Sequence, residues 1–172
     1  MLPAVAVTPP KFSVPVFGKP FFLRSSYSPK DNPRVIVIQK LYGKFFNEDE
    51  QITFPKHRFK KFIKDTVSGT IERNDIILEE LDKNLGDNFT LGKLDKVFQI
   101  ILKSATYEFL YKPNVSINII IKEYLNASNF FLENSQTKYL NALLDSVAKK
   151  LRSSNAWIWI CLLYTSPSPR DG

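Results

Sequence analysis

Cationic and aromatic side chains occur together at two places in the sequence, and both indicate binding to a single-stranded nucleic acid. Lys138 directly precedes Tyr139 at the start of a predicted helix. Arg34 lies in the first turn of another predicted helix, with Gln39 and Tyr42 about one and two turns further along. Cations bind the phosphates of a single strand, aromatic faces stack on its bases, and an amide can hydrogen-bond a base edge.

Each of these residues also has a purely structural interpretation. Arg34 is then a solvated surface cation, and Gln39 bonds the end of a neighbouring helix. Tyr42 is then a core aromatic residue whose hydroxyl reaches water, and Tyr139 packs as a staple beneath its own helix. The residue types alone leave both interpretations open.

The charge of the whole chain favours a polyanionic partner. The 172 residues carry a formal net charge of +7, and the pI is about 9.4; each phosphate that such a surface neutralises releases counterions. The alternative is an ordinary charged surface. The densest basic cluster consists of five cations with no acid among them: Lys56, Arg58, Lys60, Lys61 and Lys64. Helical spacing would distribute these cations around the surface, so we expect most of them to be solvated.

Catalysis and metal binding are not expected. The chain has one histidine, His57, and one cysteine, Cys161, which excludes an internal disulfide, a cysteine metal cluster and most His- or Cys-based catalysis. Glu108 and Glu123 lie on predicted buried helices, but no nucleophile accompanies them. We expect them to bond backbone or a tyrosine. The residues themselves therefore carry no signature of a catalytic site, and we expect no cofactor.

The fold class follows from the apolar spacing, which is helical throughout. Asn32 and Pro33 are typical of a helix start, and a second helical pattern follows Pro55. A wide apolar face over 94–113, closed by Pro113, predicts a central buried helix. Thr90 is its expected cap, while Ser116 and Asn134 or Ser135 are expected to cap two further helices. These patterns predict an all-α domain of five or six helices.

The domain boundaries follow from composition. Residues 1–30 contain six of the eleven prolines and are predicted to be an irregular arm, with the native start further along the chain. Residues 31–152 are the predicted domain, and 153–172 are a tail. Residues 161–171 resemble the translation of a transposase adapter used in sequencing libraries. We therefore expect these residues to derive from the adapter and not from the natural gene. No apolar run is long enough for a bilayer and no secretory signal is evident, which predicts a cytoplasmic protein without a membrane segment.

Three motifs resemble those of the transcription antitermination factor NusB family. RVIVIQKLY at 34–42 resembles the first-helix pattern R…AVQALY. The segment 94–109, LDK…LKSATYEF, resembles LDR…LRLALYEL, and KYLNALLD at 138–145 resembles KFVNGVLD. The motifs occur in the family's order and at about its separations. The match covers some 120 residues, and the combination is more specific than any one motif.

The resemblance implies an RNA-binding protein that is not an enzyme, folds as a compact bundle of five to seven helices and has defined partners. NusB pairs with NusE, a small-subunit ribosomal protein, and the pair binds the boxA element of nascent ribosomal RNA within the RNA polymerase antitermination complex. Some members form homodimers. The implied RNA-binding residues are Lys30, Arg34, Gln39, Tyr42, Lys138 and Tyr139. The helix that meets the protein partner carries Phe98, where a charged residue is usual, and Lys103. The family's arginine cluster before the first helix is reduced here to Lys30 and Arg34.

Two other functions remain open. A NusB-like domain also precedes the catalytic part of some ribosomal RNA cytosine methyltransferases, so the chain could be the N-terminal domain of such an enzyme. This sequence contains no Rossmann glycine fingerprint and no catalytic cysteine of its own. A helical module that binds only protein, with incidental basic charge, is the third interpretation.

Overall fold

A computed structural model describes residues 28–49 and 51–153. The helices within these ranges are α1 Pro33–Phe46, α2 Lys60–Glu72, α3 Asn74–Leu85, α4 Lys96–Tyr111, α5 Ile117–Ser128 and α6 Asn134–Ser153, with one 3-10 turn at Leu91–Lys93. No strand occurs in these two ranges. The prediction of an all-α bundle is confirmed.

Most of the predictions for the two termini fall on residues outside the described ranges. These are the arm up to residue 27 and the tail from residue 154, which includes the predicted adapter read-through at 161–171. Both stay predictions.

Two of the predicted helix starts are confirmed by the hydrogen bonds that cap them. The Asn32 side chain accepts a hydrogen bond from the backbone N–H of Arg34 at 3.0 Å, and Pro33 occupies the first position of α1. The Ser116 hydroxyl accepts a hydrogen bond from the N–H of Ile119 at 3.3 Å. Each cap satisfies one of the N–H groups that have no acceptor within a helix.

Two other predicted starts are wrong by several residues. The second helical pattern was expected to begin near Pro55, but α2 begins at Lys60. Just before it, the His57 Nδ1 accepts a hydrogen bond from the N–H of Phe59 at 3.0 Å. Thr90 makes no side-chain cap bond. A 3-10 turn follows it, and the extended backbone of Leu94 (φ −85°, ψ 154°) separates that turn from α4.

The centre of the bundle is α4, which packs against all five other helices. Ile101, Leu102, Ala105 and Phe109 on this helix are fully buried, which confirms the prediction of a central helix. The chain directions of α1 and α4 are opposite, since Arg34 lies beside Glu108 and Phe45 beside Lys96. The amino end of α1 therefore lies at the carboxyl end of α4.

Gly69 allows a close approach between α2 and α4. A methyl group at Gly69 would overlap the ring of Tyr107. A glycine within a helix costs about 1 kcal/mol relative to alanine, and the sequence therefore raises the expectation of a tight helix–helix contact at this position. The Tyr107 ring supplies that contact.

Candidate nucleic-acid interface

Arg34 is largely buried and forms a two-point ion pair with Glu108. Its Nε donates to Oε1 at 3.1 Å and its Nη2 donates to Oε2 at 2.7 Å. Only 8% of Arg34 is exposed and Glu108 is fully buried. The interpretation of Arg34 as a solvated surface cation is therefore wrong, because two of its nitrogens are held inside the bundle.

The Glu108 carboxylate has a third donor, the hydroxyl of Tyr124, at 2.7 Å from Oε1. This confirms the expectation that Glu108 bonds a tyrosine. Burial, reinforced by the Glu108 charge, raises the pKa of Tyr124 well above its usual value. Burial alone would lower the pKa of Arg34, but the Glu108 charge raises it overall. The group is therefore a buried, hydrogen-bonded cluster that joins α1, α4 and α5.

One edge of the Arg34 guanidinium is directed away from Glu108. Nη1 lies 3.9 Å from an oxygen of Glu123, and the guanidinium carbon lies 4.9 Å from the Phe62 ring centre. This nitrogen makes no hydrogen bond within the part of the chain that the structure describes. An RNA contact by Arg34 remains a prediction, and it would have to be made through this edge.

The other predicted RNA-binding residues of α1 and its approach differ in exposure. Lys30 is exposed just before α1, and Gln39 is half-buried. Tyr42 is 9% exposed, and its ring lies 4.7 Å from that of Phe46. The burial of Tyr42 agrees with a core aromatic residue and leaves little of its face for a base. Arg34 and Tyr42 are eight residues apart, which is about 12 Å along a helix.

At the end of the bundle where α4 begins, aromatic rings and cations make two sets of contacts. Tyr139 is 46% exposed, and its ring centre lies 5.7 Å from that of Phe98. Lys138 beside it is exposed. The Lys96 ammonium lies 4.8 Å above the Phe45 ring, which is 48% exposed. We call Phe45, Phe46, Lys96, Lys138 and Tyr139 the aromatic end of the bundle.

Three members of the aromatic end were not predicted from the sequence. Phe45, Phe46 and Lys96 were not among the predicted site residues. A signal was available for the first two, because adjacent residues of a helix point about 100° apart and both cannot face the core. The third depends on how α1 lies against α4, which no local pattern reveals.

The two residues predicted to meet a protein partner are poorly accessible. Phe98 is 2% exposed and lies beneath Tyr139. Lys103 is half-buried, and its Nζ donates to the side-chain oxygen of Asn74 at 3.0 Å. Burial, with a smaller contribution from Lys96, lowers the pKa of Lys103. A partner role for either residue stays a prediction.

The described residues contain neither a candidate metal site nor a helix that could span a membrane. No group of three or more His, Cys, Asp or Glu side chains within residues 28–49 and 51–153 is arranged to hold a metal ion. None of the helices in these ranges has the length and apolar character needed to cross a bilayer.

Comparison with known proteins relates most of the bundle to one family. The sequence model of the NusB family matches residues 31–149. The chain is 34% identical over 91 residues to transcription antitermination protein NusB of Novosphingobium aromaticivorans, a match that covers 53% of this chain and 62% of the relative. It is 32% identical over 91 residues to the protein of the same name from Maricaulis maris, covering 53% and 57%. The match thus spans about three-fifths of these relatives.

A solved structure of T. maritima NusB has the same fold. It superimposes with a TM-score of 0.61 at 24% identity, over 72% of this chain and 92% of that one. The agreement concerns the helical architecture alone.

Proposed function

The chain belongs to the NusB family, and from this premise we propose that it is a transcription antitermination factor that binds boxA-type single-stranded ribosomal RNA together with NusE. The family match agrees with the resemblance drawn from the three sequence motifs. The relatives are named transcription antitermination proteins, which agrees with a protein that is not an enzyme. We place its action in the cytoplasm, within the RNA polymerase antitermination complex.

The observation that carries the RNA-binding proposal is the exposure of Tyr139 next to Lys138. The Tyr139 ring is supported from below by the buried Phe98 and keeps 46% of its surface exposed. A supported, exposed ring loses little conformational freedom when a base stacks on it. Lys138 lies one turn into the 20-residue helix α6, whose amino end carries the positive pole of the helix dipole and so also favours a phosphate.

The RNA strand, in this proposal, follows α1 from the aromatic end towards Lys30. Gln39 offers its amide to a base edge, and Arg34 offers its Nη1. Tyr42 offers the small part of its side chain that is exposed. Lys30 lies exposed beyond the amino end of the helix. The strand thus contacts the predicted residues of α1, where Arg34 and Tyr42 lie about 12 Å apart, and those of α6, Lys138 and Tyr139.

The partner surface proposed for NusE is the face of α4 that carries Phe98 and Lys103. Because Phe98 lies beneath Tyr139, a partner that contacts it must shift the Tyr139 ring. Such a shift would couple protein binding to RNA binding. A homodimer that covers the same face is the competing assembly.

An RNA titration tests the proposed function. The full chain is titrated with a boxA-like RNA and with a scrambled RNA of equal length, each with and without NusE, at several salt concentrations. We expect NusE to increase affinity for the boxA-like RNA more than for the scrambled one. Equal affinity for the two RNAs, unaffected by NusE, would reduce the protein to a generic basic binder and overturn the proposal.

A further inference from the structure

A cleft of about 320 Å³ opens between the amino end of α1 and the segment that leads into α2. Pockets that bind small molecules begin at about this size. Its lining combines residues from four parts of the chain: Asp31, Asn32, Pro33, Arg34, Arg58, Phe59, Phe62, Val115 and Glu123. The cleft lies at the end of α1 away from the aromatic end.

The lining of the cleft is apolar on some sides and hydrogen-bonding on others. Phe59, which is 40% exposed, contributes an aromatic ring, as does the partly buried Phe62. Nη1 of Arg34 contributes donors, and the half-buried Glu123 contributes an acceptor. Aromatic rings beside a donor and an acceptor are the features that bind an unstacked nucleobase by its faces and its edge.

The rim of the cleft is basic. Arg58 lies on its edge, with the guanidinium 4.5 Å above the Phe59 ring. A neighbouring recess, lined by Asp31, Lys56, His57 and Arg58, shares Asp31 and Arg58 with the cleft. Lys60 and Lys61, at the start of α2, are both exposed. Cations along a groove of this kind follow the phosphates of a single strand.

We propose that this cleft binds one nucleobase of a single-stranded RNA whose adjoining phosphates lie on Arg58, Lys60 and Lys61. The proposal rests on the proposed function in that the strand is the same RNA, which would extend beyond the amino end of α1. Three of the five cations from Lys56 to Lys64 then bind phosphates, whereas their spacing predicts a solvated face.

The chemistry of the cleft favours a base over the side chain of an acidic peptide. The cations alone would suit either ligand. Within the cleft, however, the Asp31 and Glu123 carboxylates repel an acidic side chain, whereas they accept hydrogen bonds from the N–H groups of a base. Flat aromatic surfaces also give more contact to a planar ring.

The test uses the full chain and short single-stranded RNAs in which one base is replaced by the fluorescent analogue 2-aminopurine. We expect the fluorescence at one position to be quenched on binding because the base stacks in the cleft. Phe59→Ala should abolish that quenching and weaken binding by about 5- to 150-fold, the effect of losing one stack. The double variant Lys60→Ala, Lys61→Ala should reduce the salt slope by about two units.

Matched controls separate this site from a general loss of structure. Ile76→Ala removes a side chain that is 46% exposed on α3, and Lys149→Ala removes a cation that is exposed on α6 and paired with Asp145. Neither control should change RNA binding, and circular dichroism should show all variants folded.

Three results would overturn the assignment of the cleft as a base site, and they differ in whether the proposed function also fails. If wild type binds RNA but Phe59→Ala behaves like Ile76→Ala, the cleft is not a base site and the proposed function stands. If wild type binds no single-stranded RNA, with or without NusE, both proposals fail. If a glutamate-rich peptide binds wild type but not Phe59→Ala, the cleft belongs to a protein partner.

Discussion

Arg34 and Glu108 join the amino end of α1 to the carboxyl end of α4 by two parallel hydrogen bonds of 3.1 and 2.7 Å. The pair lies inside the bundle and uses the planar geometry in which a guanidinium and a carboxylate match best. The residue that the family resemblance links to RNA binding thus also has a structural role, and the two roles can be separated by experiment.

We predict that Arg34→Ala lowers the free energy of unfolding by about 3–5 kcal/mol, because it leaves the fully buried Glu108 charge without its partner. Replacing both residues by apolar ones, Arg34→Met with Glu108→Leu, should restore much of that loss. Urea denaturation followed by circular dichroism measures both. Lys149→Ala, which breaks an exposed pair with Asp145, is the control and should change stability by less than about 1 kcal/mol. A comparably small effect of Arg34→Ala would contradict the structural role.

High pH should destabilise the protein through Tyr124. Its pKa is raised well above the usual value by burial and then by the Glu108 charge, whereas an unfolded tyrosine titrates near pH 10. The unfolded state therefore loses this proton first. The contribution to stability is fully present below about pH 10 and is lost, at about 1.4 kcal/mol per pH unit, as pH rises towards the folded pKa.

Urea denaturation between about pH 9 and pH 11 measures that loss. Tyr124→Phe provides the comparison, since it lacks the titrating hydroxyl but retains the ring. The variant should be less stable near neutral pH because Glu108 loses a hydrogen bond, and its stability should fall less steeply with pH. Identical slopes in the two proteins would show that Tyr124 does not titrate in this way.

Gly69→Ala should destabilise the bundle although alanine is the better helix former. The added methyl group would overlap the Tyr107 ring, and overpacking of a core costs about 1–3 kcal/mol, against a gain of about 1 kcal/mol from helix propensity. Thermal unfolding should show a lower midpoint for Gly69→Ala. In a Tyr107→Leu background the same substitution should be neutral or stabilising, and equal effects in both backgrounds would exclude the overlap as the cause.

The sequence predicted the parts of the fold that depend on local signals. Asn32 with Pro33 and Ser116 are local caps, and the wide apolar face of α4 marks the buried centre. The start of α2 was misplaced, since the apolar spacing continues through residues before Lys60 where the chain is not yet helical. The hydrogen bond from the N–H of Phe59 to the His57 ring just before the helix is likewise not encoded by apolar spacing.

The site was harder to predict because exposure depends on the packing of distant segments. Arg34 and Glu108 are 74 residues apart in sequence, so nothing near Arg34 indicates that its charge is already paired. Lys96 joins the aromatic end only because α1 and α4 are antiparallel. The pairing of Lys138 with Tyr139 needs no such long-range information, since the two residues are adjacent in the chain, and its contact with RNA stays a prediction.

Tyr139→Ala should weaken binding to boxA-like RNA by about 1–3 kcal/mol, the contribution of one base stack, while stability changes little because 46% of Tyr139 is exposed. Tyr139→Phe keeps the ring and should bind like wild type. Neither change removes a charge, so the salt slope should stay constant, whereas Lys138→Ala should reduce it by about one unit.

Ile119→Ala, at a side chain that is 54% exposed on α5, controls for the loss of exposed apolar surface. Fluorescence anisotropy at several salt concentrations measures each affinity. If Tyr139→Ala and Ile119→Ala bind equally well, the aromatic end does not stack on RNA through Tyr139, and the observation that carries the proposed function is lost.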